Sequence, residues 1–197
     1  MRTLVIDTAT AACSVALLDD GAVADWRHEL VGRGHAERLM PMVAELADGG
    51  RADAILVDCG PGSFTGIRVG LAAAIGLGIG WGVPVHGYSS LAVIAAAHLS
   101  PASPALAVVL EGGHGEVFMQ GFVHPLAATA PLASLAPAAA DAALASRPAV
   151  GSGVKFLSAG GQDAWPDARD ARLLPSDLRT LPPRPIYGRA PDAKPNP

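Results

Sequence analysis

The chain has 197 residues; half are hydrophobic, only 5% are aromatic, 16% are charged, 23 are glycine, and the formal net charge is −4. That length suits one domain or two small ones, and so apolar a composition excludes disorder over most of it. Lys155 and Lys194 are the only lysines and no Lys/Arg run occurs, which argues against an unaided grip on a nucleic-acid backbone.

In chain order, Leu4-Val5-Ile6 predicts a short buried strand ending at Asp7. Thr8 to Ala12 is a turn of small residues, and Ser14 to Leu18 predicts a second strand. Asp19-Asp20-Gly21 is a hairpin signal leading into a third strand over Ala22 to Leu30. Helical spacing of Leu39, Met40, Val43 and Leu46 predicts a helix from His35 to Ala47, with Pro41 forcing a late start or a kink. Ala54 to Val57 reads as a buried strand, Gly60-Pro61-Gly62 as a turn, and Ser63 to Trp81 as a long helix. A strand over Val83 to His86 and a helix over Ser89 to His98 complete a first unit, residues 1–100.

A second unit, residues 101–197, opens after Pro101–Pro104 with strands over Leu106 to Leu110 and Glu116 to Val123. An Ala/Pro-rich stretch follows, with a helix from Pro137 to Ser146. Past Val150 the chain is rich in turns, and Pro182 to Pro197 reads as irregular. Cys13 and Cys59 lack metal-type spacing and read as reduced thiols. The N-terminal apolar run is too short for a signal peptide, so a cytoplasmic protein is expected. Val69 to Val85 carries no charge, but its Gly/Ala content and scarcity of Leu suit a buried helix better than a membrane span.

Three segments bear on chemistry. Asp7-Thr8-Ala9-Thr10 places an acid and two hydroxyls on a turn after a strand, as phosphate-holding turns do. Such turns normally use glycine to let backbone N–H groups approach the phosphate, whereas Ala9, Ala11 and Ala12 stand here; a plain turn residue is the other reading. Gly60 to Gly70 joins a glycine turn, a hydroxyl cap and a helix start, which suits either an anion site or simply a capped strand-to-helix turn. It is neither a Walker loop nor a hydrolase elbow. Along the long helix, Gly66, Gly70, Ala73 or Ala74 and Leu77 form one stripe, open to packing within the chain or against a partner helix. The six histidines form no ligand-spaced cluster.

Together, Asp7-Thr8-Ala9-Thr10, His35-Ala36-Glu37-Arg38-Leu39-Met40-Pro41 and the Gly60–Gly70 string closely resemble the bacterial TsaB (YeaZ) family. So do Gly115-Glu116-Val117-Phe118, Val150-Gly151-Ser152-Gly153 and Pro185-Ile186-Tyr187-Gly188-Arg189. The resemblance implies an α/β, actin-like ATPase (ASKHA, ribonuclease H-like) fold with a complete first lobe and a shortened second. It implies a non-catalytic scaffold subunit for making threonylcarbamoyladenosine (t6A) beside the anticodon of tRNAs that read A-starting codons. The implied partners are the catalytic subunit TsaD and the ATPase TsaE, with a homodimer when alone, tRNA only through the complex, and no membrane. No cofactor of its own is implied; ATP/ADP and a metal ion belong to the partner subunits.

In that family the first two helices pack on those of TsaD. The implied partner face here is His35, Leu39, Met40, Val43, Gly66, Arg68, Gly70, Leu71, Ala74 and Ile75. A vestigial nucleotide or phosphate turn maps to Asp7, Thr8, Thr10, Gly62, Ser63 and Thr65. No catalytic residue and no metal ligand is expected. Ser90 and Ile94 stand where the catalytic paralogue has its His pair, and neither replaces an imidazole. The family's Asp-Ala-Arg before Gly-Glu-Val is Glu111-Gly112-Gly113-His114 here. The competing class is an active ATPase or small-molecule kinase of the same fold, which requires glycine in both phosphate turns and a catalytic carboxylate in a complete second lobe. A metallopeptidase fails for want of ligands.

Overall fold

A computed structural model describes residues 1–189. The first sheet contains β1 (Arg2–Asp7), β2 (Ala12–Asp19), β3 (Ala22–Leu30), β4 (Ala54–Asp58) and β5 (Val85–Tyr88), in the order β3-β2-β1-β4-β5. β1, β2 and β3 form an antiparallel meander, while β4 and β5 join parallel to β1. Asp20 and Gly21 both take positive φ, the two-residue turn whose twist suits a hairpin. β4 and β5 lie parallel because α2 (Phe64–Trp81) crosses over between them.

α1 (His35–Ala44) and α2 cover one face of this sheet. Strand alternation decides which residues they meet: Leu4, Ile6, Val15, Leu17, Ile55 and Val57 point toward the helices. Their neighbours Val5, Ala16, Leu18 and Leu56 point the other way, onto α3 (Ser90–His98). Pro41 lies inside α1 on its exposed side, where water can satisfy the carbonyl that its missing N–H leaves free. α1 stops at Ala44 rather than Ala47, and a 3-10 turn over Ala47–Gly50 replaces its last turn, with Asp48 and Gly49 left-handed. β5 begins two residues later than the sequence predicts, because Gly82 caps α2 in the left-handed region and Pro84 supplies a carbonyl to Ile55 instead of continuing the strand.

The second sheet has the order β10-β6-β7-β8, from β6 (Ala105–Gly113), β7 (Glu116–Val123), β8 (Ala127–Ala128) and β10 (Ala149–Val150), with β9 (Ala133–Leu135) also on β7. Leu106, Val108, Leu110, Phe118 and Phe122 face α3. α4 (Pro137–Leu144) covers the far face through Ala140 and Leu144. The layers therefore run helix pair, sheet, α3, sheet, α4: the actin-like, ribonuclease H-like α/β arrangement with a full first lobe and a smaller second.

Two later segments tie the layers together. Ala164, Ala168, Ala171 and Leu174 join the core beside α3, and the Ala168 N–H donates to Ser14 Oγ at 3.0 Å. Residues 181–189 form a strap. Leu181 bridges Gly87 on the open edge of β5, and the Ile186 N–H donates to the Cys59 carbonyl. Tyr187 stacks on Phe64, Gly188 lies against the Phe118 ring, and Arg189 pairs with Glu116 at 3.4 Å. The remainder of the expected irregular tail, residues 190–197, lies outside the described residues.

Ile94 on α3 is 1% exposed and belongs to the layer between the two sheets. Truncation there leaves a cavity that neither sheet can collapse into. Ile94→Ala is expected to cost about 2–5 kcal/mol, read as a shift of the urea midpoint at unchanged slope.

Candidate functional site

β1 and β4 are parallel neighbours, and each ends in an aspartate, Asp7 and Asp58. Both carboxyls are fully buried. Tyr88 at the end of β5 donates its hydroxyl to Asp7 Oδ2 at 2.8 Å. Asp58 accepts from the Gly60 N–H at 2.8 Å and from Ser90 Oγ at 2.6 and 2.8 Å. Burial pushes both carboxyls up, Asp58 to about 6 and Asp7 well above the ordinary range. Burial beside the two acids likewise holds the Tyr88 hydroxyl far above its usual value. Burial also pushes the Cys13 and Cys59 thiols up to about 12, so neither is a nucleophile.

Above the carboxyls, the turn after β1 is pressed against the start of α2. Ser63 N donates to the Ala9 carbonyl at 2.6 Å, and Thr8 Oγ1 donates to the Gly66 carbonyl at 2.8 Å. Gly62 rests on the Ala9 carbonyl and Gly66 on the Thr8 carbonyl, so closely that a Cβ at either position would overlap backbone. Ser63 caps α2 by accepting from Gly66 N at 3.2 Å, and Thr10 accepts from Ala12 N at 3.2 Å. The two turns thus meet backbone to backbone at Gly62 and Gly66.

Of the six residues assigned to a vestigial phosphate turn, Asp7 and Thr8 are sealed inside and Thr65 is exposed on α2. Thr10, Gly62 and Ser63 line a cleft of about 850 Å³ between the two sheets. Its other walls include Arg33, Phe118, Trp165 and Arg189. The divergent Glu111–His114 hairpin forms part of its rim, and Glu111 pairs with Lys155 at 2.8 Å. Among the described residues no cluster of three metal-type side chains occurs.

The ten residues assigned to a partner face divide, and most of that assignment is corrected. His35, Leu39, Val43, Gly66, Gly70, Leu71 and Ala74 are buried under the helices. His35 Nε2 is held 3.1 Å from the Ala12 carbonyl, and Gly70 sits over Thr8, Ile6 and Val57. The Gly66–Gly70–Ala74 stripe is what lets α2 lie close on β1 and β4, so it is unavailable to another chain. Met40, Arg68 and Ile75 do face outward. Beside them stand exposed residues that the assigned partner face left out: Phe64, Ala72, Gly76, Gly80 and Ile79, which is 79% exposed. Ala72, Gly76 and Gly80 form a second small-residue stripe at four-residue spacing, and nothing lies near a Cβ at Gly76 or Gly80. The two stripes lie on opposite sides of α2, and only the buried one includes residues of the diagnostic Gly60–Gly70 string. α2 is long and apolar enough to cross a membrane by length and composition, yet its inner stripe is spent on the sheet.

The family model described as TsaD, tRNA N6-adenosine threonylcarbamoyltransferase, matches residues 28–144. The tRNA threonylcarbamoyladenosine biosynthesis protein TsaB of Escherichia coli is 46% identical over 100 residues, 48% of this chain and 43% of that protein. This chain therefore spans less than half the length of that relative. An uncharacterised protein of Mycobacterium tuberculosis is 33% identical over 98% of this chain and 93% of its own length. A crystal structure of YeaZ from Pseudomonas aeruginosa superposes with a TM-score of 0.75 at 26% identity, covering 94% of this chain and 99% of that one. The chain belongs to the TsaB (YeaZ) family. Asp58 and Tyr88, which the fold brings to Asp7, are residues that motif reading overlooked. The signal available was the repeated pattern of an apolar strand ending in Asp, at Asp7 and again at Asp58.

The inner and outer stripes of α2 predict opposite outcomes for one kind of substitution. Gly70→Leu forces a side chain into Thr8 and is expected to cost at least about 1–3 kcal/mol. Gly76→Leu enters open space and improves helix propensity by nearly 1 kcal/mol, so its melting temperature stays level or rises. Circular-dichroism melts of the two variants compare them directly.

Proposed function

We propose that this protein is a non-catalytic scaffold subunit in t6A biosynthesis, acting by pairing through α1 and α2 with the catalytic transferase TsaD. The observation that carries this reading is the outward face of those helices, where Met40, Phe64, Ile75 and Ile79 stand exposed around the open Ala72–Gly76–Gly80 stripe. An apolar surface of this kind is what a partner covers. Small residues at four-residue spacing let a second helix approach closely, and the flanking Ile and Met side chains supply apolar area. Such a pairing fits an interface of roughly 1,600 Å².

The non-catalytic part of the reading is supported by alanine at Ala9, Ala11 and Ala12, where phosphate-holding turns use glycine, and by Ser90 and Ile94. Ser90 is committed to Asp58, and Ile94 is core, so neither position serves a metal. ATP/ADP and the metal ion then belong to the partners, TsaD and TsaE, and tRNA is reached through the assembly in the cytoplasm. With the partner missing, the same face closes on a second copy as a homodimer.

Two measurements test the reading. Size-exclusion chromatography with TsaD, with and without ATP, is expected to show co-elution. Ile79→Asp should weaken that pairing by at least tenfold while leaving the monomer's melting temperature within a few degrees, since a charge there is exposed in the free chain but buried unpaired in the complex. Unimpaired pairing of Ile79→Asp would place the partner elsewhere. The chain alone is expected to turn over no ATP above background; turnover abolished by Thr10→Ala or Ser63→Ala would overturn the non-catalytic assignment.

A further inference from the structure

The buried carboxyls at the ends of β1 and β4 have a property independent of any partner. Asp7 and Asp58 directly follow the paired residues Ile6 and Val57 of the parallel strands β1 and β4, which sets them side by side, and both are fully buried. Their donors are unequally shared. Asp58 accepts from the Gly60 N–H on Oδ1 and from the Ser90 hydroxyl on both oxygens. Asp7 accepts from the Tyr88 hydroxyl on Oδ2, and its Oδ1 is a buried oxygen with no donor. No cation pairs with either acid among the described residues. The titratable groups facing the pair are Tyr88 from β5, Cys13 from β2 and Cys59 from the turn after β4, all neutral when protonated. α3 contributes the Ser90 hydroxyl, and α2 reaches the site through Gly66, bonded to Thr8.

Two ionised carboxylates cannot share such a pocket without a cation. A proton on Asp7 Oδ1 removes both difficulties at once: it satisfies the orphaned oxygen and is donated to Asp58, which the stronger donor set keeps anionic. We propose that Asp7 and Asp58 share one buried proton at neutral pH, and that this proton locks the seat of α2. The turn from Thr8 to Ala11 springs from Asp7, and the turn from Gly60 to Gly62 springs from Asp58. Losing the proton puts two like charges beneath both turns at the point where they grip the start of α2. The outer face of α2 then becomes less firmly placed as pH rises.

The linkage has a definite sign. An unfolded aspartate releases its proton near pH 4, whereas the folded pair retains one well above that. Over the interval between, the folded state holds a proton that the unfolded chain lacks, so stability falls with rising pH. Asp7→Asn supplies an N–H to Asp58 and keeps an acceptor for Tyr88, with no proton to lose.

The test is urea unfolding of the full chain from about pH 6 to about pH 9, for wild type and Asp7→Asn. The wild-type unfolding constant is expected to rise up to tenfold per pH unit relative to the variant, the slope of one linked proton. Parallel pH profiles for the two proteins would overturn the proposal. Because a variant can fail to fold, carboxyl-carbon NMR of aspartate-labelled wild type provides a second decision. One buried carboxyl remaining protonated at pH 7 supports the shared proton. Two buried carboxyls both ionised at that pH reject it.

Discussion

The contact on which this molecule depends is backbone on backbone, where the turn after β1 meets the first turn of α2. Ser63 N and the Ala9 carbonyl approach to 2.6 Å, and the glycines at 62 and 66 leave room for nothing else. That closeness sets the height of α2 above the sheet. It makes Gly70 and Ala74 inner residues and turns Ile75 and Ile79 outward. The presentation of the outer helix face follows from the same few atoms.

Most of the first sheet was legible because its signals are local. Asp20-Gly21 demands a hairpin, and the short apolar runs ending in Asp7 and Asp58 demand buried strands. The long helix was equally plain, but its orientation was not. α2 is apolar all round, with buried Leu71 and exposed Ile79 looking alike in sequence, so periodicity cannot say which side meets the sheet. The inward stripe happened to carry the more recognisable glycines, and they marked the chain's own packing rather than a partner's.

The second half was harder to read for a different reason. Its strands β8 and β10 are two residues long, and residues 164–174 enter the core as irregular chain and 3-10 turns. Ala168 and Ala171 are buried by where the chain passes, without any period that a pattern could reveal. The aspartate pair was missed because Asp7 and Asp58 are 51 residues apart, and only the parallel pairing of β1 with β4 brings them level. Motif reading weighed Asp7 as part of a phosphate-holding turn or as a plain turn residue, whereas the structure gives it the Tyr88 hydroxyl and sets it beside Asp58.

The strap over residues 181–189 has a consequence for the order in which the molecule is made. A ribosome has delivered every strand of the first sheet once Tyr88 has emerged, yet the outer edge of β5 receives Leu181 only after more than ninety further residues. During that interval the nascent chain carries an open parallel edge, the kind that recruits stray strands. β5 is only four residues long, with His86 exposed at its middle, which gives an intruding strand little to hold. The brevity of that strand and the lateness of its cover belong together: the fold tolerates a long wait for its last partner by leaving very little edge to guard.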